Sequence, residues 1–465
     1  MARMGVVDGS AYVRTSIAVF TRDLRVHDNP VLHAAAAADR CVPLFVVDET
    51  ITGSSYMSAN RASFLADSLA DLDAGLRARG GALVVRRGST VAEVVRVARD
   101  HDVDEVHIAS DVSRFAQRRE RELTRALRSC GVELHVHDSS VTAVPPLSIS
   151  PVGGNDHFSV FTPYFRRWQT QVLRRPLRAP GTITVPRLDV GGIPTADLLH
   201  RGSPSPELCT GGEKQARKLL TRWVRDAVDD YADRHDALAD DGTSRLSAHL
   251  HFGTLSVTEL LHRVGNRSEG ARAFTRQLAW RDFHHQVLAA RPDTAHDDFR
   301  PRGDRWRRSE EDLDAWRAGR TGYPIVDAGM RQLAREGWMH NRARLITANF
   351  LTKVLYLDWR LGAQHFTDLL VDCDIANNQM NWQWAAGTGT DTRPNRVLNP
   401  LAQARRFDPD GRYVRRYVPE LRHVTGRRVH QPWTLPQDER SRVDYPEPIV
   451  DLQDGARRFL VARTR

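Results

Sequence analysis

Two carboxylates, Asp372 and Asp374, four amides, Asn377, Asn378, Gln379 and Asn381, and two indoles, Trp382 and Trp384, fall within thirteen consecutive residues of this chain. A segment that merely joined two helices would be small and polar. This one places acids, amides and aromatic rings side by side, a set suited to a flat, electron-rich ligand with hydrogen-bonding edges.

Three other segments carry residues of related chemistry. In RQLAWRDFHHQVL (276–288), Gln277, Trp280, Arg281 and His284 share one face of a helix by i, i+3, i+4 spacing. An amide, an indole, a guanidinium and an imidazole make a poor core stripe and suit a groove for stacked bases and phosphates. A solvated helix face with one half-buried indole is the other reading, and the segment alone does not separate them. In DGTSRLSAHLHFGTLS (241–256), the hydroxyls of Thr243, Ser244 and Ser247 surround Arg245 where a helix begins. That combination receives phosphate or simply caps a helix. In TGYPIVDAGMRQLAREGWMHNRARLITANF (321–350), Pro324 opens a helix, after which Trp338, Asn341, Arg342, Arg344 and Leu345 crowd a turn and a half. Asn341 and Leu345, four apart, point the same way. Asn341 can both donate to and accept from a base-like edge, and Arg344 is placed to pair with Asp372 or Asp374.

The elements that must hold these residues follow from periodicity. Short apolar runs at Ile17–Phe20, Val42–Val47, Leu83–Arg86, Val106–Ala109 and Leu134–Val136 read as buried strands. They alternate with amphipathic stretches such as Ala59–Arg79 and Thr90–Asp100, the rhythm of βαβ units and a parallel sheet covered on both faces. Asn29-Pro30 reads as an N-cap and first helical residue of a helix running through Ala38. The first strand leads into TRDLRVHDNP rather than a glycine-rich phosphate loop, which disfavours a nicotinamide or NTP site of the usual kind. A doubly wound sheet can nevertheless hold a planar ligand at the carboxyl ends of its strands. Residues 141–206 are punctuated by prolines and glycines, an extended connector, and from about 207 the pattern is helical. The expected architecture is an α/β doubly wound parallel-sheet (Rossmann-like) domain over 16–140, a linker over 141–206 and an all-α domain over 207–445.

Bulk properties set outer limits. With 465 residues, 41% hydrophobic and 7% aromatic, the chain is a soluble globular protein of two domains. The formal charge of +9 invites a polyanionic partner. Only Lys214, Lys218 and Lys353 are lysines among 67 basic residues, so the excess of arginine reflects a GC-rich genome more than a demand for guanidinium chemistry. Cys41, Cys130, Cys209 and Cys373 are far apart and form no CxxC pair, so no metal site, iron–sulfur cluster or disulfide framework is expected. The opening MARMGVVDGSAYVRTSIAVF has no apolar stretch of signal-peptide length and no run approaches a membrane span. A cytoplasmic protein with no membrane partner is expected.

The segments TRDLRVHDNP, DGTSRLS, QLAWRDF, GRTGYPIVDAGMRQL, GWMHNRAR, LDWRLGAQHF, NNQMNWQWAAGTGTD and RVLNP occur in this order. Together they resemble the photolyase/cryptochrome family over about residues 16–440, most of all its microbial cyclobutane pyrimidine dimer photolyases. The resemblance implies an α/β antenna domain joined to a helical domain that binds FAD. It implies FAD contacts from Tyr231, Thr243, Ser244, Arg245, Leu246, Ser247, Asn341, Arg344, Asp372, Asp374 and Asn378. It implies an electron-transfer chain of Trp382, Trp359 and Trp306, ordered from flavin to surface. It implies a lesion and DNA site of Gln277, Trp280, Arg281, His284, Asn341, Arg342, Leu345 and Trp384.

The implied activity is light-driven: photoexcited reduced FADH⁻ passes an electron to a flipped-out pyrimidine dimer, the two cyclobutane bonds break, and the electron returns. The implied partner is UV-damaged DNA, single- or double-stranded, bound by a monomer. A second, antenna chromophore is implied as well. In ASDVSRFAQRRERE, Ser110 and Arg114 stand where folate-binding members tend to carry Asn and Glu, so 8-hydroxy-5-deazaflavin is favoured over methenyltetrahydrofolate. Asn378, a neutral amide rather than the aspartate of plant-type cryptochromes, favours repair. Departures from the pattern are Gln277 for a common Glu, Leu345 for Met, and His235 for a DNA-contacting Arg. They keep open the alternative of a cryptochrome-like blue-light photoreceptor that binds FAD without efficient repair.

Overall fold

A computed structural model describes residues 13–240 and 242–463. Residues 1–12, most of the opening stretch read for a signal peptide, lie outside the described residues, as does Asp241 of the DGTSRLS segment. The strands are β1 Thr15–Phe20, β2 Arg40–Asp48, β3 Val84–Gly88, β4 Glu105–Ala109 and β5 Glu133–His137. They form one parallel sheet in the order β3-β2-β1-β4-β5. All six residues of β1 are buried, as expected of a central strand covered on both faces. Ile17 and Val19 pack with Leu123 and Leu127 on one side, while Ala18 and Phe20 pack with Leu69 and Leu72 on the other. The chain reverses direction across the sheet between β1 and β4, which opens a crevice at their carboxyl ends.

The helices that frame this sheet and the site are α1 Pro30–Ala35, α2 Ala59–Arg77, α3 Thr90–Asp100, α4 Arg114–Arg128, α5 Phe161–Trp168, α6 Glu213–Asp226, α7 Ser247–Phe252, α8 Glu269–Ala290, α9 Pro324–Glu336, α10 Asn341–Asn349, α11 Trp359–Leu369 and α12 Ile375–Ala386. Asn29 caps α1 by accepting from the Leu32 amide, as the Asn-Pro pair predicts. The helix ends at Ala35 rather than Ala38. Ala37 and Ala38 bond to Ala34 and Ala35 in i→i+3 turns, tightening the chain before β2. The TRDLRVHDNP segment is a framework loop. Arg25, buried, donates to the carbonyls of Asp28, Gly253 and Ser140, and the Asn29 amide bonds to those of Asp23 and Arg25.

The 141–206 connector is mostly extended, yet it contains α5, an eight-residue helix that its prolines obscure in the sequence. It runs back over the sheet, where the amides of Cys41 and Val85 donate to the carbonyls of Thr184 and Val190. The buried Asp282 of α8 anchors its start by accepting from the Ala143 and Val144 amides and the Trp168 indole. Gly253, at φ +68 after α7, fits only without a side chain: a Cβ there would lie 1.9 Å from the Arg22 carbonyl oxygen. Through this contact the helical part meets the loop that follows β1.

His249, His284 and His340 are buried, and burial lowers each imidazole to about 4. Between pH 6.5 and 4 the unfolded chain therefore binds more protons than the folded one. Stability is greatest above about pH 6.5 and falls as the pH drops towards 4, by up to about 3 kcal/mol per imidazole. Thermal unfolding followed by circular dichroism should show a midpoint that declines steadily between pH 7 and 4.5. A flat profile would mean that these rings are charged inside the fold.

Candidate active site

Helices α7, α8, α10 and α12 enclose a cavity of about 400 Å³. The spacing argument for α8 is realised, since Gln277, Trp280, Arg281 and His284 all face into it. Opposite stand Asn341, Arg344 and Leu345 of α10, with Asp372, Asp374, Asn377, Asn381 and Trp384 in and just before α12. Tyr231, Thr243, Ser244, Arg245, Leu246 and Ser247 close one end. A recess of about 80 Å³ continues the cavity past Asn341, Arg344 and Asp372 to Asn378, Phe366 and Trp382. Segments separated by more than a hundred residues in the chain thus share one space.

Three expected site residues lie away from it. Arg342 turns off the rim, holds Asp236 through paired bonds of 2.7 and 2.8 Å, and lies 4.3 Å over the Phe407 ring. Trp359, fully buried, donates its indole N–H to Asp298 at 2.8 Å. Trp306 is half-buried and packs on Tyr356 at 5.1 Å. Of the three tryptophans, Trp382 lines the recess, Trp359 is buried outside it and Trp306 is half-buried. Gly362 of α11 lets Trp382 approach that helix, since a Cβ there would fall 2.1 Å from the indole. Trp382 also meets Phe366 and Trp316 edge-on, at 4.9 and 6.0 Å.

The two aspartates have different partners. Asp372 pairs with Arg344 at 2.8 Å, one of the two options its spacing allowed. Asp374 caps α12 by accepting from the Asn377 amide, and it pairs with Arg22 and with His285 at 3.4 Å. Burial alone would raise the Asp374 carboxyl, but His285, Arg22 and Arg281 hold it well below the ordinary carboxylate range. Arg22 itself binds Asp111 at 2.9 Å and the His251 carbonyl at 3.1 Å. Arg22, His251 and His285 were in quoted segments but had no assigned role. Their signal, a cation after the first strand and imidazoles on α7 and α8, has meaning only once the two parts meet.

Trp280 forms a wall with a firm backing. The Phe161 ring of α5 stacks on it at 3.7 Å and 7°, and the Arg276 guanidinium lies 4.8 Å from Phe161. Arg281 bonds to the carbonyls of Val141 and Leu250, so its charge is fixed by the scaffold. Arg245, with φ +56, holds Glu336 at 2.5 Å and lies 3.9 Å over Trp338, whose indole donates to Ser247. Asn378 anchors its amide nitrogen on the Ala363 carbonyl at 3.1 Å.

Several buried polar atoms here have no partner among the described residues. They are Thr243 Oγ1, Asp372 Oδ1, His284 Nε2 and Trp382 Nε1. Unsatisfied buried groups are costly, and a cluster of them around one cavity matches a ligand with many donors and acceptors. An isoalloxazine, a ribityl chain and phosphates fit that donor set.

A second cavity of about 400 Å³ occupies the crevice at the carboxyl ends of β1, β2 and β4. Phe45, Val47, Met57, Leu65 and Phe115 give it apolar walls, and Asp48, Thr90 and Ser113 offer a few polar groups. It shares Asp374 and His251 with the first cavity, so those two side chains form the partition between them.

Comparison with known proteins matches residues 16–181 to the DNA photolyase model and residues 274–465 to the FAD binding domain of DNA photolyase. A deoxyribodipyrimidine photo-lyase of Streptomyces griseus is 57% identical over 450 residues, covering 96% of this chain and 99% of the relative. The crystal structure of a bacterial class III photolyase from Agrobacterium tumefaciens superposes with a TM-score of 0.92 at 30% identity, covering 99% of both chains. An archaeal photolyase from Sulfolobus tokodaii, solved with two FAD molecules, superposes with a TM-score of 0.85 at 32% identity, covering 97% of this chain and 99% of that one.

The partition makes a test available. Asp374→Asn leaves Arg22 and His285 facing a neutral amide in a desolvated site, and stability should fall by about 3 kcal/mol. Asp372→Asn affects only Arg344, which is partly open to the cavity, and should cost less than half as much. Denaturant unfolding of both variants checks the order; equal losses would show that Arg22 does not depend on Asp374.

Proposed function

The chain belongs to the DNA photolyase family, and from that premise we propose that it is a deoxyribodipyrimidine photo-lyase. It repairs cyclobutane pyrimidine dimers in UV-damaged DNA with light. The observation that carries this reading is the single cavity in which the Gln277–Trp280–His284 face of α8 meets the Asp372–Trp384 segment, with Asn378 and Trp382 in its recess. One side suits a cofactor and the other a pyrimidine dimer flipped out of its duplex. When bound in its reduced form, FAD supplies the photoexcited electron that opens the dimer and recovers it afterwards.

The chain's own residues bind, orient and exclude water. Tyr231, Thr243, Ser244, Leu246 and Ser247 hold the cofactor's polar edge together with Arg245, whose guanidinium is fixed over Trp338. Arg344, charge-balanced by Asp372, and Asn341 supply directed donors between cofactor and substrate. Asn378, with its nitrogen tied to Ala363, keeps its carbonyl oxygen as an acceptor for a protonated flavin. Trp280 and Trp384 give the dimer apolar walls, and Phe161 stiffens the first of these. Gln277 and His284, the latter neutral near pH 7 because burial lowers it to about 4, offer hydrogen bonds without charge. Leu345 fills apolar volume beside Asn341. Arg342, outside the cavity and paired with Asp236, is assigned to the DNA backbone. Trp382, Trp359 and Trp306 carry electrons inward from the surface when the cofactor must be reduced.

Extruding a dimer requires less energy than extruding an intact pair because its stacking is already damaged. Single- and double-stranded substrates are therefore both accepted. The working unit is a cytoplasmic monomer, with an antenna domain over 16–140, a connector over 141–206 and a catalytic domain over 207–445. Among the described residues no helix is long and apolar enough to cross a membrane. We assign the second cavity to a light-harvesting chromophore and favour 8-hydroxy-5-deazaflavin over methenyltetrahydrofolate. Its apolar slot at the switch point of the sheet suits a fused planar ring system, and Asp374 and His251 line both it and the flavin site.

Photoreduced, anaerobic protein mixed with UV-irradiated oligothymidylate should restore the thymine absorbance under blue light. No recovery with the flavin demonstrably reduced would sink the repair reading. Trp382→Phe should slow photoreduction at least tenfold while chemically reduced variant still repairs; loss of both would remove Trp382 from the electron path. For the antenna, protein offered either chromophore should take up the deazaflavin and quench its fluorescence only when FAD is bound. Uptake of the folate alone would reverse the assignment.

A further inference from the structure

The outer strands of the sheet carry a cluster that photochemistry does not use. On one face of β4 stand Glu105 and His107, and on the same face of neighbouring β5 stand Glu133, His135 and His137. The parallel register sets Glu105 beside Glu133, His107 beside His135, and Ala109 beside His137. The sequence thus reads E-x-H on one strand and H-x-H on the next, separated by 27 residues, a pattern invisible to any search for closely spaced ligands. The donor atoms of Glu105, His107 and His135 lie within 4.8 Å of one another.

We propose that Glu105, His107 and His135 bind a first-row divalent metal ion, with Zn²⁺ the best fit. Glu105 Oε1 is 3.5 Å from His107 Nε2, and Glu105 Oε2 is 3.5 Å from His135 Nε2. Ligands about 2.0–2.1 Å from a tetrahedral zinc stand roughly 3.4 Å apart, so both pairs are close to ligating separation. Two imidazoles and a carboxylate form a borderline donor set that zinc accepts readily and magnesium or calcium do not.

An independent observation points to the same place. His107 is 5% exposed, and its Nε2 has no hydrogen-bond partner among the described residues, although it is aimed at Glu105. Its other nitrogen, Nδ1, lies 3.1 Å from His137 Nε2. With the Nδ1 proton donated to His137, the Nε2 lone pair of His107 is left directed into the cluster. That is the arrangement by which outer-shell partners orient metal-ligating histidines. His137 is then a positioning residue and not a ligand.

Two groups compete or assist. Arg14 holds Glu105 Oε1 at 2.9 Å, but its side chain is more than half exposed and can leave. Glu133, 3.7 Å from His135 and mostly exposed, can complete the coordination sphere together with water. A bound ion would clamp β5, the edge strand, to β4, over which α1 packs.

Untagged, FAD-loaded, full-length protein stripped with a chelator and titrated with Zn²⁺ by calorimetry tests this. One Zn²⁺ per chain is expected, with affinity lowered at least tenfold in Glu105→Gln and His135→Ala. His137→Phe should weaken binding about tenfold while leaving the stoichiometry unchanged. Zinc should also raise the thermal midpoint of the wild type and not of His135→Ala. Soaked crystals of the wild type, which depend on no variant, should show an anomalous peak between the three side chains. No stoichiometric uptake, uptake indifferent to Glu105→Gln and His135→Ala, or a peak elsewhere would each overturn the site.

Discussion

A desolvated ion pair between Arg22 and Asp374 stands at the centre of this molecule. Its members are 352 residues apart in the chain, one in the loop after β1 and the other capping α12. Both charges sit largely away from water, so each is stabilised by the other and by further partners, Asp111 for Arg22 and His285 for Asp374. Arg22 also holds Asp111 after β4 and the carbonyl of His251 at the end of α7. The sheet's carboxyl-end crevice and the helical cavity are therefore registered against each other by one guanidinium. Gly253 completes the contact by allowing backbone to touch backbone at Arg22.

That registration also joins the two cavities, because Asp374 and His251 line both the carboxyl-end crevice of the sheet and the helical cavity. The Asp374 oxygens hold Arg22, the α12 cap and His285, and the side chain lines both cavities. Asp372, with one oxygen on Arg344 and the other unpartnered, is the acid that remains available to the cavity.

The substrate side of the cavity follows the same economy of fixed groups. Arg281 carries a charge at the cavity wall but is bound to backbone carbonyls, and Trp280 is braced by Phe161. Preorganised walls of this kind need no rearrangement when a planar ligand enters. The neutral state of His284 extends this to the hydrogen-bonding groups, since a charged imidazole beside Arg281 would repel it.

The sequence by itself determined the five strands, because buried parallel strands demand unbroken apolar runs, and it determined the shared face of Gln277, Trp280, Arg281 and His284, because helical spacing is local. It also made Asn29-Pro30 a helix start, though not where that helix stops. The crowding of acids, amides and indoles between Asp372 and Trp384 marked the site, and the order of eight motifs marked the family. Only the tertiary structure decided which acid Arg344 takes, that Arg342 turns away to Asp236, that Phe161 stands behind Trp280, and that Arg22 reaches Asp374. It alone set Glu105, His107 and His135 around one point. The physical reason is the same in each case. Periodicity fixes the direction in which a side chain leaves its own element, but the partner it meets is chosen by packing between elements far apart in the chain, and no local pattern records that choice.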